Sequence, residues 1–359
     1  MHQPSINEQR KNDHVAHALE QQTKQTLHPF DDIRFVYHSF SNTTLDEIDL
    51  TTTWAGHDHS LPFYINGMTG GSEFTKSINQ KLAIVARESG LSMASGSVSI
   101  AMKESHAHDS FTIIRKENPD GFVMANLGAH HNLENAKRAV DLLQANALQI
   151  HLNIPQEVVM PEGDRDFSMW SKNIEDMVQH LNVPVIVKEV GFGMSRETIE
   201  RLLSLGVKTI DVSGRGGTNF IMIENNRRDQ LDFSDLAYWG QTTPESLLEA
   251  YSARSNPSTP SFDLLASGGI RGYLDIIKAL SLGAQGVGLS GKFLWMVHEE
   301  GVDKTIQWVK QQEEAIRSLM LMLDTPTIQD LDTTQLILQG DLKDWAIARG
   351  IDWQALANR

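Results

Sequence analysis

The stretch "GFVMANLGAHHNLENAKRAVDLLQANALQIHLN", Gly121 to Asn153, shows the unit from which most of the chain is built. It begins with an apolar run, continues through a polar turn into a segment with helical periodicity, and ends in a second apolar run. Strands of this kind that alternate with helices are typical of a parallel sheet whose faces are covered by helices. The stretch therefore predicts a strand–helix–strand unit.

The same unit recurs from about Leu61 onward. Eight candidate strands lie in "PFYING", "GLSMASG", "GFVMANLG", "ALQIHLN", "PVIVKEVG", "TIDVSG", "LLASGG" and "GVGLSG". A helix-compatible stretch follows each of them, and several of these helices end in Gly or Asn just before the next strand, as helix C-capping favours. Eight units predict a closed (β/α)8 barrel, the TIM barrel. We therefore predict an α/β protein with an N-terminal extension over residues 1–60, a barrel over 61–323 and a C-terminal helical tail over 324–359 that packs on the barrel.

The chain is acidic, with a formal net charge of −15, and it contains no cysteine. Nucleic acids and anionic membranes bind basic faces, so the charge argues against both as partners. A small phosphorylated ligand is still compatible with this net charge, because backbone amides and one or two Lys or Arg side chains can bind it locally. The absence of cysteine excludes disulfides and thiolate nucleophiles and fits a reducing compartment. Since the sequence shows neither a secretory signal nor an apolar run of about 18 residues, we predict a cytoplasmic protein.

Imidazole, amide and carboxylate side chains follow the fourth apolar run, in "HLNIPQE" (residues 151–157). In a TIM barrel the carboxyl ends of the strands, and the loops after them, form the active-site mouth. His151 and Asn153 share strand parity, so both can face that mouth. A hydrogen-bonded structural role is the alternative for His151.

Glycine-rich turns follow the last two strands, in "ASGGIRGYL" and "GLSGKFL". In TIM barrels these two loops commonly bind phosphate, and Gly268 and Gly269 allow the backbone to approach a ligand closely. Arg271 could add a charge-assisted contact. The alternative to phosphate binding is that these glycines only allow tight turns. Two such turns in these two positions favour the phosphate site.

Lys188 lies at the end of an otherwise apolar strand, where an unpaired ammonium is costly to bury. We therefore predict that it points into the mouth, toward an anion or an electron-rich cofactor ring. The alternative is a lysine that extends to solvent or pairs with Glu189. Polar groups end nearly every strand, which indicates a large polar cofactor across the mouth.

The connection after the sixth strand is unusually long, from Arg215 to about Thr243. Loops of that length are usually functional. We predict that this connection and the N-terminal segment become ordered over bound substrate.

Several motifs together resemble the type 2 isopentenyl-diphosphate isomerases: "RKNDHVAHAL", "NGMTGGS", "ANLGA", "QIHLNIPQEVVMPEGDRDF", "VIVKEVGFGMS", "GGTNF" and "ASGGIR". The resemblance runs from near Arg10 to beyond Gly291. It implies an FMN-dependent (β/α)8 enzyme of isoprenoid biosynthesis that interconverts isopentenyl and dimethylallyl diphosphate. The family needs reduced FMN, a reductant such as NADPH and magnesium, and the reaction involves no net redox change.

The resemblance implies a role for each matching position. FMN contacts are implied for Met68, Thr69, Gly70, Ser97, Asn126, Lys188, Ser213, Thr218, Gly268, Gly269, Arg271, Ser290 and Gly291. Substrate contacts are implied for Arg10, Lys11, His14, Asn153 and Gln156. Glu157 matches the magnesium carboxylate, and one carboxylate suffices when substrate phosphates and waters complete the coordination.

The sequence departs from the family pattern in one place. Many relatives carry Gln or Arg shortly after the serine that matches Ser97, where this chain has Val98. We expect phosphate binding there to use Ser99 or Lys103, or to be weaker.

Moving a double bond requires that a proton be added at one carbon and removed from another. The amide of Gln156 has no suitable pKa for this step, and a metal-bound Glu157 is a poor proton donor. We therefore predict that the reduced flavin supplies the acid–base group, while the catalytic residues His151 and Gln156 orient the substrate or relay protons.

Two other functions are compatible with the residues. An FMN-dependent oxidoreductase of the 2-hydroxy-acid oxidase type uses the same barrel with similar Gly-rich and Lys-bearing strands. The second function is that of a non-catalytic module that binds flavin or phosphate. The family resemblance also implies a homo-oligomer, either a tetramer or an octamer.

Overall fold

The computed structural model describes residues 6–23, 27–228 and 230–359. Its strands are β1 (Ile33–Phe35), β2 (Thr52–Trp54), β3 (His57–His59), β4 (Phe63–Ile65), β5 (Met93–Ala94), β6 (Val123–Gly128), β7 (Ala147–Leu152), β8 (Val185–Glu189), β9 (Thr209–Asp211), β10 (Asp263–Ser267), β11 (Gly286–Leu289) and β12 (Leu336–Leu338). Its α-helices are α1 (Ile6–Thr23), α2 (Glu73–Ser89), α3 (Asp109–Glu117), α4 (Leu133–Leu143), α5 (Ile154–Val159), α6 (Trp170–His180), α7 (Arg196–Ser204), α8 (Phe220–Asn225), α9 (Thr243–Arg254), α10 (Tyr273–Ser281), α11 (Gly291–Trp295), α12 (Val302–Leu323), α13 (Gly340–Ala348) and α14 (Trp353–Asn358).

The strands β4 to β11 pair in sequence order, and β11 pairs with β4 to close a barrel of eight strands. Every pairing within the barrel is parallel. Each of the eight predicted strands is present, so the predicted TIM barrel is confirmed. No helix in the described ranges has the length and apolar character that crossing a bilayer requires.

Local sequence signals set where the helices around the barrel begin. Ser72, Asn132 and Ser195 precede α2, α4 and α7, and each side chain accepts a hydrogen bond from the backbone amide three residues later. These contacts satisfy amides that have no partner within the helix. At the other end of α2, Gly90 adopts a left-handed conformation (φ +66°) that ends the helix.

The amino-terminal end of the barrel is closed by apolar side chains. Trp54, from the β2–β3 hairpin, is 1% exposed and packs with Tyr64, Met124, Ile186 and other residues near the starts of the strands. Its ring also stacks on His59, with 3.7 Å between the ring centroids. A ligand can therefore enter the barrel at the carboxyl ends of the strands.

The N-terminal extension and the C-terminal tail contact each other as well as the barrel. β1 pairs antiparallel with β12, with Ile33 opposite Leu338. The Asp324 carboxylate, just after α12, accepts hydrogen bonds from Asn42 and Thr43. The domain boundaries stay a prediction, and residues 1–5 of the extension lie outside the described residues.

Candidate active site

A cavity of about 300 Å³ opens at the carboxyl ends of the barrel strands. This volume is at the lower end of the range usual for ligand pockets. The residues that line it include every predicted site residue except Thr69, Gly70 and Arg271. The fold therefore brings together side chains that lie far apart in the sequence, from α1 to the loop after β11.

The three exceptions have other contacts. Thr69 is 2% exposed and its carbonyl oxygen accepts from the Gly96 amide at 3.1 Å, whereas its Oγ1 has no hydrogen-bond partner among the described residues. A Cβ added to Gly70 would lie 2.1 Å from the Phe111 ring, so the glycine is required for packing. The Arg271 guanidinium donates to the carboxylates of Asp275 (2.7 Å) and Asp31 (2.6 Å). The flavin contacts inferred for these three residues stay predictions.

Glycines from two loops pack backbone against backbone on one side of the cavity. Gly269 has φ +73°, and a Cβ there would lie 2.7 Å from the carbonyl carbon of Gly216. A Cβ on Gly217 would lie 2.9 Å from the amide nitrogen of Gly269. Any side chain would therefore force the two loops apart. This glycine cradle, formed by Gly216, Gly217 and Gly269, is therefore required for the packing of the two loops. That it also binds a phosphate group stays a prediction.

Lys188 lines the cavity although it is only 6% exposed. Its Nζ donates to the backbone carbonyl of Glu189 at 2.6 Å. Burial lowers its pKa from the ordinary value, against the attraction of Asp211 and Glu189. The Glu189 carboxylate instead accepts hydrogen bonds from the amides of residues 190–192, and burial raises its pKa to about 8. Lys188 and Glu189 therefore do not pair through their side chains, which was the alternative.

Basic side chains from α1 and from the loop after β5 also line the cavity, although the chain as a whole is acidic. They are Arg10, Lys11 and Lys103, which form the basic side of the cavity, and Arg10 lies 3.5 Å from the Glu162 carboxylate. In the described ranges, neither Lys11 nor Lys103 lies within 4.0 Å of a carboxylate. Burial first, and then Arg10, lower the pKa of Lys11 to about 8. These uncompensated cations favour an anionic ligand.

Ser99 lies beside Lys103 and lines the same cavity. Its Oγ is 2.8 Å from Ser97 Oγ and 2.9 Å from His131 Nε2. Val98 is fully buried and does not line the cavity. That phosphate binding here uses Ser99 or Lys103, or is weaker, stays a prediction.

Two residues that could offer oxygen ligands to a metal, Asn153 and Glu157, lie one helical turn apart at the start of α5. The Glu157 carboxylate accepts from Asn153 Nδ2 (2.8 Å) and from the Asp164 amide (3.0 Å), which fixes its orientation. Asn153 Oδ1 is buried and has no hydrogen-bond partner among the described residues. No group of three or more His, Asp or Glu residues that could hold a metal occurs in those ranges. A carboxylate and an amide oxygen fit Mg²⁺ that takes its other ligands from substrate and water.

Proteins named isopentenyl-diphosphate delta-isomerase match nearly the whole chain. The protein from Staphylococcus saprophyticus subsp. saprophyticus is 49% identical over 345 residues, which cover 96% of this chain and 98% of that protein. The protein from Staphylococcus aureus (strain JH9) is 47% identical over 346 residues, which cover 96% and 97%. This chain belongs to the isopentenyl-diphosphate delta-isomerase family. The resemblance that the motifs indicated is confirmed.

The sequence pattern of the FMN-dependent dehydrogenases matches residues 110–338 of this isomerase-family chain. Two solved structures share its fold. A mandelate oxidase variant with benzaldehyde has a TM-score of 0.62 at 18% identity and covers 92% of this chain and 94% of its own. A flavocytochrome b2 variant with sulfite bound has a TM-score of 0.67 at 20% identity and covers 98% and 84%. The family match supports FMN as the cofactor, whereas the structural likeness shows the fold alone.

One buried carboxylate of this isomerase-family site is not indicated by any of the sequence motifs. Glu224, on α8, is fully buried, and its Oε1 lies 2.8 Å from Gln156 Nε2 and 3.0 Å from His14 Nε2. Arg227 binds the other carboxylate oxygen. Burial opposes its charge, but the contacts with His14, Gln156 and Arg227 outweigh burial and lower its pKa to about 2. The signal for it was a single Glu within the apolar "FIMIEN" of the long connection.

His151 lines the cavity, and its Nδ1 lies 2.8 Å from Asn126 Oδ1. Burial, followed by repulsion from Lys188, holds its pKa well below the ordinary value. At neutral pH the imidazole is therefore uncharged, and it can accept a proton at one nitrogen only.

Proposed function

We propose that this chain interconverts isopentenyl and dimethylallyl diphosphate with reduced FMN and magnesium. The observation that carries the proposal is a single cavity with three parts: a glycine cradle, a basic side, and Gln156 held against a buried carboxylate. The relatives at 46–49% identity and the FMN-dependent dehydrogenase match agree with it.

The residues that would hold FMN come from the ends of several strands around the cavity. Gly268, Gly269 and Thr218 would bind the phosphate, while Lys188 and Asn126 would lie against the ring. When bound and reduced, FMN supplies an electron-rich ring and a dissociable proton. NADPH as the reductant, a cytoplasmic location and a homotetramer or octamer are part of the proposal by family resemblance.

The diphosphate would bind on the basic side of the cavity. Arg10, Lys11 and Lys103 offset its charge, and Glu157 with Asn153 Oδ1 would hold Mg²⁺ against it. Magnesium bound through one or two protein oxygens and substrate phosphates is a common arrangement. This places the hydrocarbon end of the substrate toward Gln156 and His151.

The hydrogen bond to Glu224 fixes the orientation of the Gln156 amide. Because Nε2 is bound to the carboxylate, Oε1 is turned toward Asn153 Nδ2, at 3.3 Å. α1 and α8 would cover this region and exclude water, which would otherwise trap a carbocation. Gln156 would therefore orient the substrate, while the neutral His151 would accept a hydrogen bond.

An anaerobic assay tests the proposed function. Purified protein with FMN, Mg²⁺, isopentenyl diphosphate and a reductant should form dimethylallyl diphosphate over many turnovers for each flavin reduced. Omission of the reductant is the control. A reaction that consumes one electron pair per product, as in the oxidase alternative, would contradict the proposal.

Limited proteolysis tests the predicted lid over residues 215–243. Gln21 of α1 exchanges hydrogen bonds with the backbone of Asn219 (2.8 and 3.2 Å), so α1 and this connection should become ordered together. We expect reduced FMN, Mg²⁺ and substrate to slow trypsin cleavage after Arg227 and Arg228 severalfold. Oxidised FMN without substrate is the control, and equal cleavage rates in both samples would show that no lid closes.

A further inference from the structure

A row of buried polar side chains crosses the interior of the barrel from β9 to β7. Asp211 is followed in space by Asn66, Gln149, Asn126 and finally His151. The successive hydrogen bonds measure 3.0, 3.1, 3.1 and 2.8 Å. Gln149 and Asp211 are fully buried, and neither lines the cavity. A buried network of this length is expected to be satisfied at every link, because each unpaired amide would be costly.

The first link determines the orientation of Asn66. The Asp211 carboxylate accepts hydrogen bonds from the Tyr64 and Ser267 hydroxyls (3.1 and 2.8 Å) as well as from Asn66 Nδ2. Asn66 Oδ1 in turn accepts from the backbone amide of Gly67 at 2.9 Å, a group that can only donate. The oxygen and nitrogen of the Asn66 amide are therefore fixed by two independent neighbours.

The remaining orientations follow in sequence. Asn66 Oδ1 faces Gln149, so Gln149 must present Nε2 to it and Oε1 to Asn126. Asn126 must then present Nδ2 to Gln149 and Oδ1 to His151. An amide oxygen only accepts, so His151 Nδ1 carries the proton. Every donor in the row thus points toward Asp211.

We propose that Gln149 is a positioning residue that holds His151 as the Nδ1–H tautomer, with the Nε2 lone pair available to the cavity. Among the described residues, His151 Nε2 has no hydrogen-bond partner. It lies near Gly128, where an added Cβ would come within 3.2 Å of it. In this tautomer His151 accepts a hydrogen bond at Nε2 from a bound ligand and does not donate one. The tautomer follows from the hydrogen bonds alone, whereas its effect on catalysis rests on the proposed function.

Nitrogen NMR of the imidazole tests the inference directly. Full-length protein loaded with FMN and labelled with ¹⁵N-histidine is measured at neutral pH, and His151→Gln identifies the His151 signals among the 14 histidines. We expect a protonated Nδ1 and an unprotonated Nε2. A protonated Nε2 in the unaltered protein overturns the inference without any variant at Gln149.

The variant Gln149→Met keeps the side-chain volume but removes the central link. We expect the Nε2–H tautomer to appear and kcat to fall roughly tenfold, at nearly constant KM, since the loss of a proton-transfer group itself costs about 10²- to 10⁴-fold. The matched control is Gln312→Met, a similarly buried glutamine that accepts from the Tyr273 amide on the flank of the barrel. It should change neither the tautomer nor kcat.

The His151 tautomer tests the positioning role of Gln149, and product formation tests the proposed function. If the Nδ1–H tautomer is unchanged in Gln149→Met, the positioning role of Gln149 is wrong. If the tautomer changes as expected but the unaltered protein forms no dimethylallyl diphosphate, the positioning role stands and the proposed function fails.

Discussion

Replacement of Glu224 by Gln is expected to lower kcat about 100- to 1,000-fold while FMN stays bound. Glu224 is fully buried and accepts from Gln156, and it also lies against His14 and Arg227. Glutamine retains the shape but removes the charge, so the Arg227 guanidinium loses a buried partner and the Gln156 amide loses a charged acceptor. Anaerobic steady-state kinetics measure kcat, and flavin absorbance of the purified protein measures retention of FMN.

A variant of Glu162 tests whether the loss of any negative charge beside Arg227 is enough to lower kcat. Glu162 binds the same Arg227 guanidinium at 2.7 Å and lies 3.5 Å from Arg10 at the edge of the cavity, but its side chain is 41% exposed and does not contact Gln156. Because exposed ion pairs contribute up to about 1 kcal/mol, Glu162→Gln should lower kcat no more than about fivefold. Equal losses in the two variants would show that the contact to Gln156 does not matter.

Replacement of Glu157 by Gln is expected to raise the Mg²⁺ concentration needed for half-maximal activity by at least roughly 10- to 100-fold. The KM for isopentenyl diphosphate should rise with it, because the metal would bridge protein and phosphate. Glu157 accepts from Asn153 and from the Asp164 amide, so glutamine can keep part of this geometry while it loses the charge. Magnesium titration of the activity and calorimetry of diphosphate binding provide the measurements.

FMN should stay bound in Glu157→Gln, since the glycine cradle belongs to the loops after β9 and β10 and not to α5. The control is Glu134→Gln, which removes one negative charge from an exposed position on α4 and should leave the magnesium dependence unchanged. A Glu157→Gln protein that is purified without its yellow colour would contradict the assignment of Glu157 to the metal.

The barrel and most of its mouth could be predicted because both depend on local patterns. Each strand is a short apolar run, and the carboxyl ends of parallel strands converge wherever the barrel closes. Residues such as Asn126 and Lys188 could therefore be placed at one cavity from their positions in the strands. Their roles in binding still depend on a resemblance to relatives and are predictions.

What the sequence could not show depends on contacts between distant positions. Glu224 lies 68 positions from Gln156, in a connection without a repeating pattern. Arg271 follows a glycine pair as a phosphate-binding arginine would, yet its guanidinium binds Asp31, 240 positions away. Gln149 lies between two apolar residues of β7, and only the closed barrel brings it to Asn66. In each case the partner determines the role of the side chain, and no local signal identifies the partner.

The pairing of β1 with β12 also bears on the order of events during synthesis. The segment that carries α1 is translated before the barrel, whereas the strand that completes the β1–β12 sheet is translated after it. Domains generally fold as units. The helix that supplies Arg10 and Lys11 is therefore made well before α8 and α11, on which it packs, so a nascent chain gains a finished mouth only after the last barrel strand has been translated.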